Sequence, residues 1–162
     1  MNRLELKPIG IIHSPFASPQ GMPIQASGAK GIRGTVEVFP EYSEGLEDLD
    51  GFSHLHLLYF FHLAKPFALK VKPFLDDTER GLFATRAPSR PNPIGISVVR
   101  LMKVEKHRLH VEDIDVVDGT PLLDIKPYVP EFDVRKADRI GWLEATRTKA
   151  EKTSSDARFA RD

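Results

Sequence analysis

Apolar and polar positions alternate along this chain in several short runs, and proline- and glycine-rich breaks separate them. The clearest run is 34–39 (GTVEVF), whose period of two predicts a half-buried strand. A weaker alternation over 4–13 predicts another strand, ended by Ser14-Pro15-Phe16. Residues 52–63 (FSHLHLLYFFHL) are the most apolar and aromatic stretch. The His/Leu alternation over 54–57 favours a buried central strand, although the length also permits a helix. Runs at 94–104 and 109–117 predict two strands joined by a hairpin turn at 105–108, and 122–128 predicts a last one. Residues 66–73 read as a loop or an edge strand, and a short strand is expected over 81–85.

Helical signals are few. Residues 40–49 read as one short helix with Leu46 and Leu49 on one side, and 131–146 as an irregular or briefly helical segment around Trp142. Residues 17–32, rich in Pro, Gly, Ser and Ala, read as a long loop, and such loops in compact domains are usually functional or mobile. About seven short strands without strand–helix alternation predict a mainly β fold, a small single-sheeted barrel with few short helices, and exclude a doubly wound α/β fold. The expected domain spans 1–146, with 147–162 a polar, disordered tail.

Composition narrows the functional classes. Lys plus Arg and Asp plus Glu balance at 23 each, which argues against a strong non-specific binder of nucleic acid or membrane while leaving a local basic face open. With no cysteine there is no disulfide, thiolate nucleophile or cysteine-based zinc site. No apolar run reaches membrane-spanning length and no signal-peptide pattern opens the chain, so the default expectation is a cytoplasmic protein.

Most chemistry motifs are missing. There is no phosphate-binding G-x-x-x-x-G-K-[ST] and no G-x-S-x-G elbow. Gly28, Gly31 and Gly34 fall at dinucleotide-like spacing, but no strand precedes them. His54 and His56 share a strand face about 7 Å apart, a spacing that suits either a shared metal or hydrogen-bonded fixtures at a barrel end. Residues 83–95 (FATRAPSRPNPIG) are more distinctive. Three prolines stiffen a loop that carries Arg86 and Arg90, and rigid arginine forks suit carboxylates and phosphates. Glu112, Asp113, Asp115 and Asp118 form an acidic cluster that suits acid–base work, a hold on an amine or ribose, or merely a solvated edge. Lys126 is a candidate charge partner for the turn at Asp118.

Taken together, several segments resemble one family. They are Ile9-Gly10 with Ser14-Pro15-Phe16, Gly51-Phe52-Ser53-His54 with Phe61-His62, Phe83-Ala84-Thr85-Arg86 with Arg90-Pro91-Asn92-Pro93-Ile94-Gly95, Asp118-Gly119-Thr120-Pro121, and Asp124-Ile125-Lys126-Pro127-Tyr128. In this order they look like the TsaA-like family, whose characterised members are TrmO-type tRNA methyltransferases, over roughly residues 5–130. The resemblance implies a non-Rossmann methyltransferase built as a small β-barrel that dimerises and binds S-adenosylmethionine near the subunit interface. The implied activity is methylation of N6 of threonylcarbamoyladenosine at position 37 of a threonine tRNA.

By motif position, the resemblance makes Ile24, Gln25, Ala26, Leu63, Ala64, Arg86, Ile96, Glu112, Asp113, Ile114 and Asp115 cofactor-binding candidates. Arg90, Asn92 and Lys126 become candidates for substrate contact or loop order. Asp118, with Arg90, is the candidate for catalysis, Asp118 as proton acceptor. On this reading Arg90→Ala abolishes methylation and spares cofactor binding. The sequence has no basic residue at Pro23-Ile24-Gln25, where some bacterial members carry one, and runs to residue 162, short of the second domain of longer members. Two other readings stay open: a non-catalytic S-adenosylmethionine sensor, or a methyltransferase with a different substrate. A metal-dependent barrel enzyme using His54 and His56 is a third. No metal is expected on the family reading.

Overall fold

The computed structural model describes residues 4–146, 154–156 and 158. Six strands close a barrel: β1 (Gly10–His13), β2 (Arg33–Val38), β3 (His54–Phe60), β6 (Ile94–Glu105), β7 (Arg108–Glu112) and β8 (Thr120–Pro127). The order around it is β1-β2-β7-β6-β3-β8, with every neighbouring pair antiparallel. The remaining strands, β4 (Lys70–Val71) and β5 (Arg80–Gly81), form a separate two-residue ribbon. The expected single-sheeted barrel is the fold found, with six strands in the wall where the sequence predicts about seven.

The alternation in the sequence is the alternation of the wall. Leu55, Leu57 and Tyr59 of β3 point inward, as do Gly95, Ser97 and Val99 of β6 and Leu109 and Val111 of β7. With Ile12, Val36, Val38, Ile114 and Leu122 they fill the barrel. The filling changes along the axis. Most of it is aliphatic, but Tyr59, Ser97 and Thr120 are buried polar groups.

Several local predictions change, and the strand expected over 4–13 forms only at Gly10–His13. The helix expected over 40–49 is two 3-10 segments, Pro40–Leu46 and Leu49–Gly51, with Asp48 between them at a φ of 64°. The strand expected over 109–117 stops at Glu112, because Asp113 takes a φ of 68° and turns the chain out of the sheet. The expected strand at 81–85 is the end of β5 followed by a 3-10 turn, Leu82–Ala84. After β8 the chain makes one short helix, α1 (Pro130–Asp133), and a 3-10 segment, Gly141–Thr146. Most of the expected tail, 147–153, 157 and 159–162, lies outside the described residues. Within it, Ser154 bridges Pro23, and Ser155 exchanges backbone hydrogen bonds with Gly21 and Met22.

Candidate functional site

At the polar end of the barrel lies a cavity of about 640 Å³ with mainly apolar walls. That size suits a small molecule or cofactor. Its walls come from segments far apart in sequence: Met22–Gln25 of the long loop, Phe61–Ala64 after β3, Phe83–Pro88 of the arginine loop, and Asp115–Val117 after β7. Tyr59, Phe74, Thr120, Trp142, Ser155 and Asp156 also line it.

The arginine loop owes its shape to internal bonds. Thr85 Oγ1 donates to Leu82 O at 2.8 Å, and Arg90 Nη1 donates to Thr85 O at 3.0 Å and Ala87 O at 3.3 Å. The Arg90 guanidinium also lies 5.6 Å from the Phe83 ring centroid. Arg90 therefore turns its Nη1 to the loop's own carbonyls and does not line the cavity. Arg86, set by that loop, does line it, and its Nη1 donates to Gln25 Oε1 at 2.7 Å.

Gly95, at the end of the loop, serves packing. A Cβ there would sit 2.2 Å from Tyr59 Cε2 and 2.8 Å from Phe61 Cζ. Its absence lets those two rings meet edge to face, with centroids 5.3 Å apart. The Tyr59 hydroxyl then lies 2.9 Å from Ser97 Oγ, and Ser97 donates to Asp115 Oδ1 at 2.5 Å. Burial pushes the Asp115 carboxyl up to about 6, against the opposing pull of Ser97, its own backbone N–H and Arg86. Burial, then the Asp115 charge, raises the Tyr59 phenol well above its ordinary range. His62, also in the cavity wall, is shifted down by burial. Its Nδ1 is 3.4 Å from Thr120 Oγ1.

Of the residues singled out in the sequence, Ile24, Gln25, Leu63, Ala64, Arg86 and Asp115 line this cavity. The others are held elsewhere. Ala26 opens the following 3-10 turn, and Ile96 points outward at 51% exposure. Glu112 accepts from Arg33 Nε at 3.1 Å, Asp113 accepts from Gly31 N at 2.7 Å, and Ile114 is core. Asp118 Oδ1 accepts from Ser14 N at 3.1 Å and lies 3.4 Å from His13 Nδ1, so it braces the turn outside the cavity. Lys126 pairs with Asp124 at 2.9 Å instead of with Asp118. Asn92 is exposed in the loop, its carbonyl accepting from Ile94 N. His54 and His56 both pack on Tyr128, and His56 Nε2 lies 3.3 Å from Asp133 Oδ2. Among the described residues no group of three His, Asp or Glu side chains is placed to hold a metal ion.

Tyr59, Ser97 and Trp142 were not singled out as site residues. Tyr59 and Ser97 fall at inward positions of their strands, which is the signal that was present. Their partnership across 38 residues depends on the register of β3 against β6.

The family model described as "tRNA-methyltransferase O N-terminal domain" matches residues 11–134. The chain is 62% identical over 153 residues to a Pyrococcus abyssi protein named "Probable S-adenosyl-L-methionine-binding protein", covering 94% of this chain and 83% of that one. It is 37% identical over 134 residues to the Homo sapiens "tRNA (adenine(37)-N6)-methyltransferase", covering 78% of this chain and 30% of the human protein. The crystal structure of TrmO from Pseudomonas aeruginosa superposes with a TM-score of 0.73 at 43% identity, covering 87% of this chain and 63% of that one.

Proposed function

The chain belongs to the tRNA-methyltransferase O N-terminal domain family, and on that premise we propose that it is an S-adenosylmethionine-dependent methyltransferase acting on tRNA, at N6 of threonylcarbamoyladenosine 37. The observation that carries this reading is the convergence of Gln25, Arg86 and Asp115, from three separate segments, on one apolar cavity.

The residues present fit that cofactor. It joins a zwitterionic amino-acid group and a sulfonium to a planar base, and the cavity pairs apolar and aromatic walls with the Arg86 guanidinium. Arg86 and Gln25 suit its carboxylate, and Phe61, Phe74 and Phe83 offer surfaces for its ring. When bound, the cofactor supplies an electrophilic methyl group on a sulfonium. The chain's part is to keep water out, align the acceptor nitrogen and take up the proton that nitrogen loses.

Exposed Phe60 and Ile94, paired across β3 and β6, with Ile96 beside them, support a homodimer through this face. No helix among the described residues is long and apolar enough to cross a membrane.

The test is incubation with labelled S-adenosylmethionine and tRNA carrying threonylcarbamoyladenosine, followed by mass spectrometry of the nucleosides. Methylated threonylcarbamoyladenosine is the expected product. Cofactor binding without transfer to any tRNA would favour a binding protein, the role that the names of the archaeal relatives print.

A further inference from the structure

This inference rests on the function proposed above. A carbamoylated N6 is a poor nucleophile, because its lone pair is delocalised and it still carries a hydrogen. Methylation needs a group that accepts that proton as the new bond forms. The described residues lining the cavity offer three titratable acceptors: Asp115, Asp156 and His62.

Asp156 is exposed and committed. Its carboxylate takes Arg158 Nε at 3.0 Å and Nη2 at 2.8 Å, and these bonds hold its carboxyl below the usual range. The His62 ring is tied to the Phe60 carbonyl and approached by Thr120 Oγ1. Asp118 braces Ser14 outside the cavity.

Asp115 differs from all of these. It lies where the chain has left β7, turned by Asp113 toward the open end of the barrel. Behind it stands a two-hydroxyl chain. The Tyr59 phenol is kept protonated by its burial, so it donates to Ser97 Oγ, and Ser97 donates to Asp115 Oδ1. No other side chain among the described residues donates to this carboxylate. Arg86 is the cation whose charge acts on it, and Tyr59 and His62 are other titratable groups that line the same cavity.

We propose that Asp115 accepts the N6 proton during methyl transfer, with Ser97 and Tyr59 as positioning residues behind it. The nitrogen's electron pair forms the N–C bond to the methyl carbon. The C–S bond breaks with its electrons staying on sulfur, and the N–H proton passes to the Asp115 carboxylate. One positive charge on sulfur and one negative charge on Asp115 disappear together, so the net charge of the cavity, which still holds the Arg86 guanidinium, does not change. The partly desolvated carboxylate, raised toward neutrality, suits this role: it is ionised at pH 7 yet more basic than an ordinary aspartate.

The experiment uses the full chain and its Asp115→Asn, Ser97→Ala and His62→Gln variants. Methyl incorporation from S-adenosylmethionine into tRNA bearing threonylcarbamoyladenosine is measured from about pH 5 to about pH 9. Cofactor affinity is measured in parallel by calorimetry. Asp115→Asn is expected to lose about a hundredfold or more in rate while its cofactor Kd stays within about threefold. The wild-type acid limb should move to higher pH in Ser97→Ala, which loses a donor to the ionised carboxylate, and should persist in His62→Gln.

A loss of cofactor affinity that accounts for the Asp115→Asn defect overturns the inference and makes Asp115 a cofactor contact. An acid limb abolished by His62→Gln, or unmoved in Ser97→Ala, also overturns it. Incorporation by Asp115→Asn at the wild-type rate sinks the inference alone, while no incorporation by the wild-type chain sinks the proposed function and the inference with it.

Discussion

Asp115→Asn is expected to stabilise the ligand-free chain at neutral pH and to change little in mild acid. The carboxyl rises from 3.8 to about 6 on folding. That is roughly 2 pK units, or about 3 kcal/mol at 1.36 kcal/mol per unit. The sign follows from proton counting. Between the two values the folded chain holds a proton on Asp115 that the unfolded chain has lost, so stability falls as pH rises through this window. At about pH 4 the wild-type carboxyl is largely neutral in the fold, much as the asparagine is. Above about pH 7 the wild type carries the full cost of a desolvated charge and the variant does not. Urea unfolding of both chains at several pH values gives the difference in stability directly, provided each shows a single cooperative transition. The difference should grow by up to about 3 kcal/mol between about pH 4 and pH 7.5, then level off. His62 contributes the opposite slope, because a lowered histidine loses stability as pH falls, but it is common to both chains and cancels. A difference that stays flat across this range, or shrinks as pH rises, refutes the account of Asp115 as a desolvated carboxylate.

Gly95→Ala should cost about 1 to 3 kcal/mol or more, because the new methyl meets the Tyr59 and Phe61 rings, and a urea midpoint equal to the wild type's would show that the rings can move aside freely. Arg90→Ala should weaken cofactor binding as well as methylation, contrary to the expectation from the sequence, because it frees the Thr85 and Ala87 carbonyls that set the direction of Arg86. Unchanged calorimetric affinity would return Arg90 to a role with substrate. Trp142 is the only tryptophan and lines the cavity, so titration with S-adenosylmethionine should change the intrinsic fluorescence and Trp142→Phe should abolish the change. A silent spectrum during calorimetrically measured binding would remove Trp142 from the site.

The barrel was legible because its wall is written with a period of two. Leu55, Leu57 and Tyr59, or Ser97 and Val99, alternate with outward residues whatever their neighbours turn out to be. The arginine loop was legible because proline and glycine leave few backbone choices. What alternation cannot carry is which inward residue faces which. The hydrogen bonds from Tyr59 to Ser97 and from Ser97 to Asp115 join three segments, and nothing local marks any of them. An extended chain would also place Asp113 and Asp115 on one face. The left-handed turn at Asp113, held by its bond to Gly31 N, separates them, and a non-glycine residue in that conformation gives little warning in sequence. Asp118, prominent in its Asp-Gly-Thr-Pro turn, is prominent because the turn needs bracing to Ser14. The helix expected over 40–49 rested on its acidic residues and on Leu46 and Leu49 sharing one side. Both are indeed buried, but in two separate tight turns.

The seam of the barrel is the pairing of β1 with β8, which sets Gly10 against Leu122 and Ile12 against Thr120. These partners are more than a hundred residues apart, so the contacts that shut the barrel are among the most distant along the chain, and contacts of that kind slow folding. During synthesis the first strand must wait, with one edge unpaired, until residue 122 has left the ribosome. Until the seam closes, Thr120 has no fixed place in the cavity wall. A ligand can stabilise this protein only after the barrel has shut.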